Sequence, residues 1–279
     1  MKPLGGILDG TDTIIDQYLL GLNDSVISAY RRKGEYDNLR HEFDAAEMLR
    51  KLIYQIQTNI KERKSFGNSK ENWREGYEAI QANLDSDNKS EEVILERRIA
   101  RSLKVKYDGK DSPWWNQMPI ASGIVSSSSD RRRAIDLVHR YGEAQNQYDF
   151  IELKIDSDTP LFALTEILRY GLVYLVLRQN RDWLPVVSRT QPVFNAEKIG
   201  LRVFAPKEYY VGDLSWFEEQ IKVALPKIIS ELQLSLPLVI DIGSNFHTLL
   251  KKKLDQETLD NPLSVLEVND WKRAYPPQL

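Results

Sequence analysis

The sequence predicts an α/β protein in which a mixed central sheet is flanked by helices and preceded by a helical N-terminal extension. Two observations carry this expectation. Helical and β-type periodicities alternate in the order α-β-β-β-α-β-α-β between about Glu91 and Ile242, whereas the residues before them show helical spacing alone. A third observation points beyond the fold: three charged residues stand inside runs that otherwise read as apolar strands. The chain of 279 residues, 42% hydrophobic with six Trp and thirteen Tyr, is long and apolar enough to bury a substantial core. Its organisation reads as a helical extension over 1–85, an α/β core over 86–260, and a tail over 261–279.

In the extension, Ile14, Ile15, Tyr18, Leu19 and Leu22, then Phe43, Ala46, Met48, Leu49, Leu52, Ile53 and Ile56, recur at helical spacing. They predict two helices joined near Lys33-Gly34-Glu35, and Trp73 to Leu84 predicts a third before the polar linker 85–89. Ser90 is placed to cap the first core helix, whose opening turn carries Glu91 and Glu92 and whose buried stripe is Leu95, Ile99 and Leu103. Pro119 to Val125 reads as a strand, the serines 126–129 as its turn, and Arg133 to His139 as the returning strand. Tyr148 to Ile155 is the third strand. Thr159 then caps a helix with Pro160 at its first position, running to about Gln179. Leu201 to Phe204, Trp216 to Leu232 and Leu236 to Ile242 supply a strand, an amphipathic helix and a last strand. Trp114-Trp115 reads as a loop anchor, and the three histidines as structural or surface residues.

Composition narrows the chemistry. Without cysteine there are no disulfides and no thiolate metal sites, and three scattered histidines argue against zinc, so a metal would be held by oxygen. The N-terminus lacks a charged segment followed by an apolar one, and the apolar run Leu161 to Leu177 is broken by Thr165, Glu166 and Arg169. These features predict a cytoplasmic chain that does not span a membrane. A net charge of −3 does not advertise a nucleic-acid binder, but the basic clusters Arg31-Arg32-Lys33, Arg131-Arg132-Arg133 and Lys251-Lys252-Lys253 permit local phosphate contacts.

The charged strand residues are Asp136, within Ala-Ile-Asp-Leu-Val, and Glu152 and Lys154, within Phe-Ile-Glu-Leu-Lys-Ile. Side chains alternate along a strand, so Glu152 and Lys154 share one face while Ile151, Leu153 and Ile155 take the other. Carboxylates brought together on a covered surface repel each other and lose hydration, an arrangement retained mainly where a cation or a function compensates. Such a pair suits Mg²⁺, which prefers a few carboxylate oxygens and keeps water for a substrate phosphate. The bland alternative is a cross-strand salt-bridge set on an open sheet face, worth little energy.

Asp136, then Glu152-Leu153-Lys154, then the helix from Leu161, resembles the PD-(D/E)xK superfamily of nucleases, whose restriction-endonuclease-like core has αβββαβ order. The likeness covers somewhat more than half the chain. The proline of the family name is missing, because Ile135 precedes Asp136. The resemblance implies that Asp136 and Glu152 bind Mg²⁺ or Mn²⁺, that the Leu153 carbonyl adds a ligand, and that Lys154 is the catalytic lysine. It further implies a glutamate from the first core helix, for which Glu96 is the candidate and Glu92 its rival, and support from Glu166 and Tyr170 on the following helix. The function it implies is a metal-dependent nuclease that hydrolyses phosphodiester bonds, with DNA the expected substrate. Arg31, Arg32, Lys33, Arg131, Arg132 and Arg133 would grip the nucleic acid, and a double-strand cutter would need two sites and hence a homodimer. Two alternatives stand beside this reading: a catalytically silent protein of the same fold that binds nucleic acid or a protein partner, and an unrelated α/β protein whose three charges diverge.

Overall fold

A computed structural model describes residues 6–22, 38–63, 73–75, 91–106, 112–120, 133–141, 146–205, 209, 214–234 and 239–242. The sheet runs in the order β1-β2-β3-β4-β5, with β1 at Trp114–Pro119, β2 at Ala134–Tyr141, β3 at Gln147–Leu153, β4 at Lys198–Phe204 and β5 at Val239–Ile242. The first three strands pair antiparallel, and β3, β4 and β5 are mutually parallel, so the sheet is mixed. A parallel return needs a long crossover, here the helix α4 at Pro160–Gln179 followed by short turns and the four-residue α5 at Val186–Arg189. The earlier helices are α1 at Thr11–Leu20, α2 at Ala45–Arg63 and α3 at Glu91–Lys106; α6 at Ser215–Glu231 precedes β5.

Each sheet face is covered by different helices. Leu95, Ile99 and Leu103 of α3 pack on Trp114, Leu137, Ile151 and Leu153, with Ile155 completing the cluster. The opposite face, with Trp115, Val138, Tyr148, Phe150, Ile199 and Leu201, meets α4. α4 starts as the sequence predicts: the Thr159 hydroxyl accepts a hydrogen bond from the Phe162 N–H at 3.2 Å, and Pro160 occupies a position where no N–H is needed. By length and composition α4 could cross a membrane, but 94% of its apolar window is buried inside the protein.

The helices read as an extension join the same core. Ile15 and Leu19 of α1 and Met48, Leu49, Leu52 and Ile56 of α2 are buried with the apolar residues of α4 and α6. Arg169 of α4 ties α1 on, its buried guanidinium reaching the Asp12 carboxylate at 2.6 Å and the Thr11 hydroxyl at 3.3 Å. Gly10 and Gly21 bound α1 with positive φ angles of 79° and 71°, a conformation that glycine adopts without steric cost.

Three local expectations need correction. The first strand lies at Trp114–Pro119, earlier than the predicted 119–125, because Trp114 and Trp115 pair with His139 and Val138 of β2 and are strand residues, not loop anchors. Residues 73–75 form a turn where a helix was expected, with Trp73 at φ 57°. β4 begins at Lys198, three residues before the apolar run that announced it, because backbone pairing with β3 extends to Gln147. The serine turn, the joint near Lys33-Gly34-Glu35, the Ser90 cap and the tail lie outside the described residues.

Within the sheet, the fully buried Asp149 stands opposite Gly200 and pairs with the Arg202 Nε at 3.3 Å. A side chain at 200 would collide with the Asp149 carboxylate, so this strand crossing requires glycine. Trp73, wholly buried, docks on Phe150, Tyr174 and Phe194 with ring centroids 5.8, 5.5 and 5.7 Å away, and its backbone N–H donates to the Pro119 carbonyl at 2.8 Å. Trp73→Ala should therefore destabilise the protein by about 3–5 kcal/mol in urea unfolding. Tyr54→Ser, on the exposed side of α2, should stay within about 0.5 kcal/mol of the parent. A loss below about 1 kcal/mol at Trp73 would show that the 73–75 segment is not anchored as described.

Candidate active site

β2 and β3 bring the acidic pair together by register. Leu137 lies opposite Ile151 and Val138 opposite Phe150, so one step further sets Asp136 against Glu152 on the α4 face. The Asp136 carboxylate accepts a hydrogen bond from the Leu153 N–H at 2.9 Å. Lys154 follows β3, held by its N–H donating to the Phe204 carbonyl at 2.9 Å, and its Nζ lies 2.8 Å from Glu152 and 3.1 Å from Glu166 of α4. Tyr170, one turn along α4, donates its hydroxyl to Glu166 at 3.2 Å. Asp136, Glu152, Lys154, Glu166 and Tyr170 thus converge at one end of the sheet.

Glu96 of α3 is buried and is linked to Asp136 through Gln117. Its two oxygens accept from Asn116 at 2.6 Å and from Gln117 at 2.9 Å, and the same Gln117 nitrogen lies 3.4 Å from Asp136. Its rival Glu92 does something else. Its carboxylate accepts from the Ile155 N–H at 3.1 Å and from the Ser157 hydroxyl, pinning the turn that follows Lys154. Of the basic candidates, Arg133 stands at the entry to β2, near enough to Tyr170 to act on it electrostatically. Arg31, Arg32, Lys33, Arg131 and Arg132 lie outside the described residues.

Asn116 and Gln117 are site residues that the sequence reading missed. A polar pair between Trp114-Trp115 and Met118 was the available signal, hidden because the strand was expected to start later. Also missed was a second polar cluster on the same face: Glu75 accepts from the Tyr148 hydroxyl at 2.7 Å and from Arg140 at 2.9 Å.

The electrostatics follow from too many carboxylates in too little water. Burial raises the Glu96 pKa to about 7 against the donated hydrogen bonds of Asn116 and Gln117, with Asp136 adding repulsion. Burial likewise raises Asp136 to about 6, opposed by the Leu153 N–H and Lys154 and reinforced by Glu166 and Glu92. Glu152 is pushed well above the usual carboxylate range by burial and by its neighbours Asp136 and Glu166. Burial also works against charge on Lys154, but Glu152 and Glu166 outweigh it and hold the ammonium protonated. Glu166 is held below its ordinary value despite burial, by Lys154 and Arg169. One ammonium faces several carboxylates, and burial with mutual repulsion favours the protonated forms of Glu96, Asp136 and Glu152.

Compared with family models, with curated proteins and with solved structures, the chain matches none. The site must be judged on its own chemistry. Asp136 and Glu152 offer carboxylate oxygens where β2 and β3 meet, and Glu96 a further carboxylate linked to Asp136 through Gln117; oxygen donors of this kind fit a hard divalent cation better than a soft one. Among the described residues the buried Asn116 Oδ1 beside Glu96 has no hydrogen-bond partner, which again marks a cluster short of donors. Among the described residues no group of three or more His, Cys, Asp or Glu is gathered as a ready-made metal cage. Mg²⁺ is commonly held by only one or two carboxylates, with water and substrate phosphate completing its shell.

These pKa shifts fix a sign. Glu96 keeps its proton to higher pH folded than unfolded, so the stability it contributes is complete below its ordinary pKa near 4.5 and is lost as pH rises to about 7. Without added metal, Glu96→Gln should therefore gain melting temperature relative to the parent steadily between about pH 4.5 and 7. Parallel melting curves for the two proteins across that range would show that Glu96 titrates normally.

Proposed function

We propose that the protein is a metal-dependent nuclease with a restriction-endonuclease-like core, hydrolysing phosphodiester bonds of nucleic acid, DNA foremost. The observation that carries this reading is the meeting of Asp136, Glu152 and Lys154 at one end of the sheet, with Glu96 delivered to the same place from α3. Asp136 and Glu152 are the residues to hold Mg²⁺ or Mn²⁺, with the Leu153 carbonyl as a further ligand. An ion held there would supply Lewis-acid polarisation of the phosphoryl group and a more acidic water. Lys154 places a fixed positive charge beside the reacting phosphate, where negative charge grows in the transition state. Glu166 and Tyr170 hold that ammonium in place, and Glu92 holds the turn behind it. Burial of the pair against α4 keeps bulk water from screening these charges.

One observation favours a second reading, a catalytically silent protein of the same build that binds nucleic acid or a protein partner. Lys154 is already ion-paired with both Glu152 and Glu166. Cleavage assays separate the two. Purified protein should cut plasmid or linear DNA with Mg²⁺ or Mn²⁺ and not with EDTA. Lys154→Met should keep calorimetric Mn²⁺ binding but lower turnover by about two to three orders of magnitude. Asp136→Asn should lose metal affinity and activity together and, without metal, melt higher than the parent because like-charge repulsion is relieved. Normal cleavage by both variants would remove the proposed site; DNA binding without cleavage under every metal condition would select the silent reading.

A further inference from the structure

Gln117 has the least ordinary backbone in the sheet. It belongs to β1, yet its φ is 52°, in the left-handed region that a residue with a side chain occupies only at a cost. Its neighbours keep strand pairing, Asn116 opposite Leu137 and Met118 opposite Ile135, so the distortion is confined to one residue. The consequence is geometric. In a regular strand adjacent side chains point to opposite faces, but here Asn116 and Gln117 both reach Glu96, at 2.6 and 2.9 Å. The Gln117 amide nitrogen also faces Asp136 at 3.4 Å, so a single NH₂ group stands between carboxylates delivered by α3 and β2. Strain of this kind persists where the surroundings enforce it and clusters at functional sites.

We infer that Gln117 is a positioning residue of the proposed metal site: its amide bridges Glu96 and Asp136 and holds both carboxylates at the spacing needed to receive a divalent ion. This rests on the nuclease reading of the same cluster. Glutamine suits the task because its amide donates two hydrogen bonds and carries no charge, so it links two carboxylates without neutralising the site the way a lysine would. Asparagine tolerates the left-handed backbone but is one methylene shorter. Glycine releases the backbone strain and removes the link.

The test compares Gln117→Gly, Gln117→Ala and Gln117→Asn with the parent, using Mn²⁺ as the probe. All three variants should need at least about tenfold more Mn²⁺ for half-maximal DNA cleavage, as expected when a partner of metal ligands is lost. Turnover at saturating Mn²⁺ should fall much less, a split that mere loosening of the fold does not produce. Gln117→Gly should melt above Gln117→Ala, since the two differ only in backbone tolerance. A parental Mn²⁺ requirement in all three, or equal melting of the glycine and alanine variants, overturns the inference. If the parent neither binds Mn²⁺ nor cleaves DNA, the nuclease reading fails by itself. The link is then judged by melting Gln117→Gly, Glu96→Gln and the double variant without metal: non-additive effects support a coupled pair, and additive effects overturn it.

Discussion

The antiparallel register of β2 against β3 is the constraint on which the rest of the site depends. A slip of one residue would turn Asp136 away from Glu152 and drive Val138 and Phe150 out of the core, so the apolar packing that fixes the sheet also fixes the acids. The carboxylates are held together by the burial of their neighbours, against their own repulsion. Lys154 offsets part of that repulsion, and raised proton affinities at Glu96, Asp136 and Glu152 offset more. An arrangement so short of positive charge would be relieved by a bound cation, so packing as well as residue types supports the proposed metal site.

α4 supports the site from its other side. Glu166 pairs with Lys154 and accepts from the Tyr170 hydroxyl, while Arg169, the residue before Tyr170, turns to Asp12 and Thr11 of α1. Arg169 also helps keep Glu166 ionised. The N-terminal helices are therefore connected to the site electrostatically as well as through the shared core. A buried guanidinium left without Asp12 would carry a large desolvation cost, so α1 and the site stand or fall together.

Much of this was legible in the sequence. Alternation located Glu152 and Lys154 on one face, the Thr159-Pro160 signal placed the start of α4, and helical spacing found α1, α2 and the buried stripe of α3. Gln117 was not legible, because its role comes from a positive φ at a residue type that does not advertise one. Glu75 and Trp73 were hidden for another reason: their partners Tyr148, Arg140 and Phe150 are distant along the chain, and local periodicity carries no record of them. Spacing preferred Glu96 over Glu92 because it borders Ile99 and Ala100, but it could not show that the Glu96 carboxylate bonds Asn116 of β1 while Glu92 bonds the turn after β3.

The apolar surface of α4 bears on how the chain is made. Alone, this helix is as oily as a membrane span, and it becomes harmless only when covered on every side. During synthesis the covering arrives in two instalments. α1, α2, the Trp73 segment and the first three strands have already left the ribosome when α4 emerges, whereas β4 and α6 are still to come. With α1, α2 and Trp73 upstream, a growing chain can begin to wrap this apolar helix before its own synthesis is finished, leaving the sheet's far edge to close the fold last.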